Sequence, residues 1–113
     1  MNTAYTSTSS EFCVVLTTVD QEDIAKSLAK SFVQNKLAAC VTVLTQATSF
    51  YIWEGRLEEA SEYLLLIKTH QEQCDALMAF IQEKHPYTLP ELIALPIVAG
   101  SSAYLDWVKS CLT

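Results

Sequence analysis

The centre of the 113-residue chain reads FYIWEGR over residues 50–56. Gly55 adopts positive φ without steric cost, which suits a tight turn between two strands. Ala38 to Trp53, before the turn, is rich in β-branched and aromatic residues, and strand-like sequence resumes over Glu62 to Thr69. Residues 45–49 interrupt the first strand and predict a bulge or bend. The middle of the chain is therefore predicted to form a long β-hairpin.

A strand and a helix precede this hairpin. Phe12 to Val19 is a compact β-branched run that predicts the first strand. Asp20 to Lys36 is predicted to be an amphipathic helix with Asp20 as its N-cap. Its apolar residues recur along one face at helical spacing, at Ile24, Leu28 and Phe32. The first half of the chain therefore has the order strand, helix, strand.

Another helix, a strand and a short terminal helix follow the hairpin. Thr69 and Glu72 have capping-box spacing, and the helix that they begin is expected to end at His85-Pro86. Glu91 to Val98 predicts the last strand, and a short helix is expected after Gly100. The order βαββαβ plus a C-terminal helix is typical of an α+β, ferredoxin-like split βαβ fold. We expect a four-stranded antiparallel sheet with helices on one face.

Length and composition predict the domain organisation. With 113 residues, half of them apolar, the chain suits one domain, which we place at residues 11–113. Met1 to Ser10 is rich in Ser and Thr and is predicted to be a flexible polar tail rather than a signal peptide. No apolar stretch approaches the roughly 20 residues that a membrane-spanning helix needs. We therefore expect a cytoplasmic protein that does not cross a membrane.

Charge and motif content argue against several functions. Thirteen acidic and seven basic residues give a net charge of −6, which repels nucleic acid. Two glycines cannot build a Gly-rich phosphate loop, and no Ser-His-Asp order or nucleophile elbow is present. We expect no enzymatic activity. No Cys-x-x-Cys metal or redox motif links the four cysteines, which are Cys13, Cys40, Cys74 and Cys111.

The strand after the hairpin turn is apolar on both faces. Tyr63, Leu65 and Ile67 point to one face, whereas Leu64 and Leu66 point to the other. Two main helices and a short third cannot cover both faces of the sheet, so a second subunit is the simplest cover. We therefore expect a closed homo-oligomer.

Two segments, residues 51–55 and 85–91, concentrate Tyr and Trp. Such side chains offer large contact areas with polar ends, so both segments suit either a subunit interface or the wall of a cleft. In the second segment, His85 and Glu91 carry ligand types that transition metals accept.

Several motifs in combination resemble the CutA family of divalent-cation tolerance proteins, from Phe12 to Leu112. The motifs are KLAACV (36–41), SFYIWEG (49–55), LIKT (66–69), HPYTLPEL (85–92), LPI (95–97) and YLDW (104–107). The resemblance implies a ferredoxin-like subunit in a tightly packed homotrimer. It also implies a part in tolerance to copper and other divalent cations, and no known enzymatic activity.

The resemblance further implies metal ligation by a Cys at the end of the first strand and a His pair before the Pro-Tyr motif. Thr17 stands at the place of that Cys, and Lys84 stands at the place of the first His. His85 remains as the candidate ligand. We expect it to contribute to a weak Cu(II) or Zn(II) site, and we expect no other cofactor.

An alternative function is suggested by the PII signalling proteins, which are trimers of similar subunit topology. Those proteins use a long loop between strands two and three, whereas the turn here is short. A small-molecule effector would therefore bind in clefts between subunits. The candidate residues for such a cleft are Trp53, Glu62, Lys68, Tyr87 and Glu91.

Overall fold

The structure, a computed structural model, describes residues 5–7 and 11–113. Six strands and three helices lie within these ranges. In chain order they are β1 (Tyr5–Ser7), β2 (Phe12–Val19), α1 (Glu22–Gln34), β3 (Cys40–Trp53), β4 (Arg56–His70), α2 (Gln71–Lys84), β5 (Ile93–Pro96), β6 (Ala99–Ser101) and α3 (Ser102–Ser110).

Four of the strands form one sheet in the order β3-β4-β2-β5, and every neighbouring pair is antiparallel. The two helix-containing connections join β2 to β3 and β4 to β5, so the chain has the split βαβ topology. This arrangement confirms the predicted α+β, ferredoxin-like fold.

Helices α1 and α2 cover one face of the sheet. Their apolar residues meet the odd-numbered side chains of β2 and β4 in one core, which contains Cys13, Val15, Val19, Ala25, Leu28, Phe32, Leu65, Ile67, Cys74, Leu77 and Ile81. Helix α3 lies at one end of the opposite face, where Phe12 and Ala39 pack with Leu105 and Val108. Successive residues of a strand point to opposite faces, so Phe12 and Cys13 enter different clusters. Beyond α3, much of the second face lacks a helical cover.

The central hairpin is longer than the sequence predicts, because β4 begins at Arg56 directly after the turn and not at Glu62. Glu54 and Gly55 have φ values of 51° and 77°, as a two-residue hairpin turn of type I′ requires. The predicted bulge is confirmed as a register shift between Leu44 and Ala47. The two long strands give the molecule a longest dimension of 53 Å.

Both predicted helix caps are displaced by one residue. Gln21, not Asp20, occupies the N-cap position of α1, and its side chain makes no capping hydrogen bond. His70, not Thr69, caps α2, since its Nδ1 accepts a hydrogen bond from the Glu72 amide at 3.1 Å. The Thr69 hydroxyl instead donates to the Leu37 carbonyl at 2.7 Å, a long-range partner that local spacing cannot reveal.

Part of the predicted flexible tail differs from expectation. Tyr5–Ser7 is a strand that pairs antiparallel with Ala99–Ser101, because backbone pairing with β6 does not depend on apolar side chains. The remainder of the predicted tail, residues 1–4 and 8–10, lies outside the described residues. Among the helices that the structure describes, none is long and apolar enough to cross a membrane.

Candidate functional site

A cavity of about 830 Å³ opens on the sheet face opposite α1 and α2, where the hairpin meets the connector from α2 to β5. We call it the acidic cleft. Its lining residues are Thr18, Asp20, Ser49, Phe50, Tyr51, Trp53, Glu58, Ala60, Glu62, Tyr87, Thr88, Leu89 and Glu91.

The hairpin supplies one wall of the acidic cleft through its strand register. Tyr51 lies opposite Glu58, and Ala47 lies opposite Glu62. Alternate residues of a strand share a face, so Tyr51 and Trp53 point to the same side as the two glutamates. This wall therefore combines aromatic rings from β3 with carboxylates from β4.

His85 holds the connector, which forms the other wall, against the end of β2. Its Nδ1 accepts a hydrogen bond from the Tyr87 amide at 3.0 Å, and its Nε2 lies 2.8 Å from the Thr18 carbonyl oxygen. Because that carbonyl can only accept, Nε2 carries the proton and donates. The His85 and Tyr87 rings also meet edge to face at 4.7 Å. His85 thus positions Tyr87 from behind the cleft wall.

Glu62 is the most buried charged group of the acidic cleft. Glu62 is only 7% exposed, and its Oε2 accepts a 3.0 Å hydrogen bond from the Tyr87 hydroxyl. No Lys, Arg or His of residues 5–7 and 11–113 forms an ion pair with it. Burial, followed by the hydrogen bond and negative charge of Glu62, raises the pKa of Tyr87, so its phenol keeps its proton and remains the donor.

The electrostatic character of the cleft is negative. Four lining residues carry carboxylates, and none of the lining residues is Lys, Arg or His. The four are Asp20, Glu58, Glu62 and Glu91. Like charges confined in a cleft raise the local concentration of oppositely charged ligands. The cleft is therefore suited to a cation and not to a phosphate or a carboxylate.

The structure brings four of the five predicted cleft residues together, and these are Trp53, Glu62, Tyr87 and Glu91. Lys68 is the exception. It shares the sheet face of Glu62 but lies six residues along β4, about 20 Å away at roughly 3.3 Å per residue. There its Nζ is 3.9 Å from Cys40 Sγ and 3.4 Å from the Tyr104 hydroxyl.

Sequence reasoning missed two of the carboxylates. Asp20 follows β2 and was assigned by its spacing to a helix cap, which it does not form. Glu58 lies between the turn and the predicted strand at Glu62 to Thr69, although counting outward from a two-residue turn places it opposite Tyr51. The hairpin register was therefore the signal that could have found Glu58. No local signal marks Asp20, because its proximity to the hairpin arises only in the folded chain.

The geometry of His85 does not fit a metal ligand without rearrangement. Both ring nitrogens already have hydrogen-bond partners, so a metal ion would have to displace one of them. Thr17 is fully buried, and Lys84 contacts Glu83 at 3.8 Å on the surface. Among the described residues, no three His, Cys, Asp or Glu side chains are grouped as a metal site requires. Weak ligation by His85 stays a prediction.

Comparison with known proteins shows close relatives over most of the chain. A protein-family model described as "CutA1 divalent ion tolerance protein" matches residues 13–111. A divalent-cation tolerance protein CutA from Thermus thermophilus is 45% identical over 96 residues, which cover 85% of this chain and 93% of that protein. The chloroplastic protein CutA of Arabidopsis thaliana is 46% identical over 97 residues, 86% of this chain but only 53% of that longer protein.

A solved structure of CutA from Synechococcus elongatus matches the fold with a TM-score of 0.93 and 39% sequence identity, covering 98% of this chain and 97% of that one. A second structure of the same protein contains a Bis-Tris molecule. The relatives are named for ion tolerance and not for an enzymatic reaction. The family model extends from β2 to the end of α3, the first relative covers 85% of the chain, and the chain therefore belongs to the CutA1 divalent ion tolerance protein family.

Proposed function

We propose that this chain is a subunit of a homotrimer that contributes to divalent-cation tolerance by binding cations weakly in the acidic cleft, without catalysis. The observation that carries this proposal is Glu62, a buried carboxylate that faces the cleft without a cationic partner among the described residues. Copper and zinc are the first ions to test, because family membership connects the chain with divalent ions.

The proposed assembly is supported by exposed apolar side chains near the end of the hairpin, on the face opposite the acidic cleft. Ile52 lies opposite Leu57, and these side chains point away from the acidic cleft. They are 66% and 72% exposed in the single subunit. Ile93 and Leu95 of β5 are also exposed, at the other edge of the sheet and on its opposite face. Large apolar side chains exposed in this way are often covered by a partner, and the trimeric number follows from the family resemblance.

Sedimentation equilibrium tests the assembly. We expect the unaltered chain to sediment with three times the mass of the monomer at micromolar concentration. Ile52→Asp should produce smaller species, because it places a charge on the apolar hairpin face. Val33→Asp is the matched control, since Val33 is exposed on α1, away from the hairpin. A monomeric unaltered chain, or equal behaviour of both variants, would contradict the proposed assembly.

Titration calorimetry with Cu(II) and Zn(II) tests cation binding. We expect weak binding that Glu62→Gln reduces about tenfold, because the substitution removes the buried charge that attracts the ion. A reduction by His85→Ala instead would assign binding to the imidazole, as the sequence predicts. Isotherms that are identical for the unaltered chain and both variants would remove both sites.

The second candidate function is that of a PII-like regulatory trimer which binds a small molecule. A cavity of about 830 Å³ lies in the range of small-molecule sites, and the Synechococcus elongatus relative holds a Bis-Tris molecule. A thermal-shift screen of nucleotides, small anions and cations tests this candidate, because a ligand of the folded state raises its melting temperature. An effect of divalent ions alone would favour the first function.

We propose the cytoplasm as the compartment of this protein. A relative named as chloroplastic shows that family members are not confined to one compartment. Fractionation of the source cells with an antibody against the chain tests the assignment. Recovery in a periplasmic or organelle fraction would contradict it.

A further inference from the structure

We propose that the preferred ligand of the acidic cleft is an elongated organic ammonium ion, whose charged nitrogen is attracted by Glu62 and whose carbon skeleton extends along the hairpin to Tyr51 and Trp53. This inference rests on the proposed cation-binding function of the cleft, but it names a different chemical class from a bare metal ion.

Glu62 is incompletely paired. Its carboxylate accepts one hydrogen bond, from Tyr87, and no described residue supplies a second donor or a positive charge. An ionised carboxylate can accept several hydrogen bonds, and burying it without a counter-charge is costly. A protonated amine supplies both a positive charge and N–H donors. Its binding would therefore relieve an electrostatic cost that the folded subunit carries alone.

An aromatic wall begins about 13 Å along the hairpin from that carboxylate, because Tyr51 pairs with Glu58, four residues before Glu62, at roughly 3.3 Å per residue. Tyr51 and Trp53 line the cleft from β3, across the hairpin from Glu58. Aromatic faces attract organic cations, and Trp is the strongest of them. Both rings are about half exposed in the subunit, so ligand contact would also remove apolar surface from water. Carboxylates next to aromatic rings match a ligand that is charged and partly apolar.

The part of the chain that the structure describes contains no ready-made metal cage. Divalent ions such as Zn(II) are held by three or four closely grouped ligands, and no such group is found there. The cavity of about 830 Å³ is far larger than an ion requires but suits a small organic molecule. Four carboxylates spread through a large cleft favour a ligand whose positive charges are distributed along its length.

Calorimetry with spermidine tests the ligand class, with tetramethylammonium as a second cation and glutamate as an anion. We expect spermidine to bind, tetramethylammonium to bind more weakly because it cannot span the distance from Glu62 to the aromatic rings, and glutamate not to bind. Glu62→Gln should weaken spermidine binding at least tenfold, because it removes the buried charge. Glu83→Gln is the control, since Glu83 carries the same charge on the surface of α2, outside the cleft. Equal losses in the two variants would show unspecific attraction and overturn the proposal.

Two further variants guard against a folding defect in Glu62→Gln. Trp53→Leu alters an exposed cleft residue and Glu58→Gln a half-buried one, and each should weaken spermidine binding about threefold to tenfold while the circular dichroism spectrum stays unchanged. Unaltered affinity in both variants would overturn the proposal. Zn(II) binding without spermidine binding would overturn it but leave the metal function intact. Spermidine binding without metal binding would support the organic-cation proposal and not the metal function. Binding of neither ligand would overturn both.

Discussion

The hydroxyl of Tyr87 donates a 3.0 Å hydrogen bond to Oε2 of Glu62, although the two residues are 25 positions apart in the chain. Glu62 belongs to the central hairpin, whereas Tyr87 belongs to the connector that follows α2. The bond therefore joins the two walls of the acidic cleft. It also supplies the one described hydrogen-bond donor to the buried carboxylate.

Tyr87→Phe should lower the free energy of unfolding by about 1.5–3 kcal/mol, the usual range for a hydrogen bond to a charged group. The physical reason is that Glu62 would stay buried after losing its donor. Urea denaturation at pH 7 measures the change. Tyr51→Phe is the control, because it removes a hydroxyl from the same cleft that forms no hydrogen bond among the described residues. Equal stability of the two variants would show that the bond contributes nothing.

Thr17→Val should raise the free energy of unfolding by about 1 kcal/mol, because an unpaired hydroxyl costs free energy when it is buried. Thr17 is fully buried on the helix-covered face of β2, and its Oγ1 has no hydrogen-bond partner in the structure. Thr18→Val tests whether the gain is specific to that position. Thermal unfolding of the three proteins measures the effect. A lower melting temperature for Thr17→Val would contradict the explanation.

The stability of the protein should fall as the pH rises above 9. Burial, together with the charge and hydrogen bond of the neighbouring Cys74 thiol, raises the pKa of Cys13 from 9.0 to about 12. The unfolded chain releases this proton above pH 9 while the folded chain keeps it, so alkali favours unfolding by about 1.4 kcal/mol per pH unit. The pKa of Tyr87 is also raised, which adds a loss above its ordinary value of 10.0.

Cys13→Ala should flatten this dependence between pH 9 and 10, even though the smaller side chain lowers stability at every pH. Urea denaturation at a series of pH values measures the slope of unfolding free energy against pH. Cys111→Ala is the control, because Cys111 lies near the C-terminal end and is not part of the Cys13–Cys74 pair. Parallel curves for the unaltered chain and Cys13→Ala would refute the assignment.

His70→Asn should be more stable than His70→Ala by about 1 kcal/mol, because Asn retains a side-chain acceptor for the α2 N-terminus. Both variants lose the edge-to-face contact between His70 and Phe12, so their difference isolates the cap. Urea denaturation of both variants gives this difference. Equal stability would mean that the 3.1 Å bond to the Glu72 amide is energetically neutral.

Local sequence patterns predicted most of the fold. The order of strands and helices, the turn at Glu54 and Gly55, and the bulge after Leu44 all follow from short-range signals. The exact helix starts do not follow from such signals. Asp20 lies one residue before the N-cap of α1, and the Thr69 hydroxyl bonds to the distant Leu37 carbonyl instead of capping α2. Half of the cleft carboxylates were also found from sequence, namely Glu62 and Glu91.

The sequence by itself determined the hairpin and the split βαβ order, because propensity and periodicity act over a few residues. It also determined the excess of negative charge, which follows from composition alone. Only the tertiary structure decided which side chains meet. It joined Tyr87 to Glu62, brought Asp20 to the cleft and placed Lys68 far from it. It also gave both nitrogens of His85 hydrogen-bond partners. The physical reason is that these contacts depend on strand register and on the path of the connector, which bring together residues far apart in the chain.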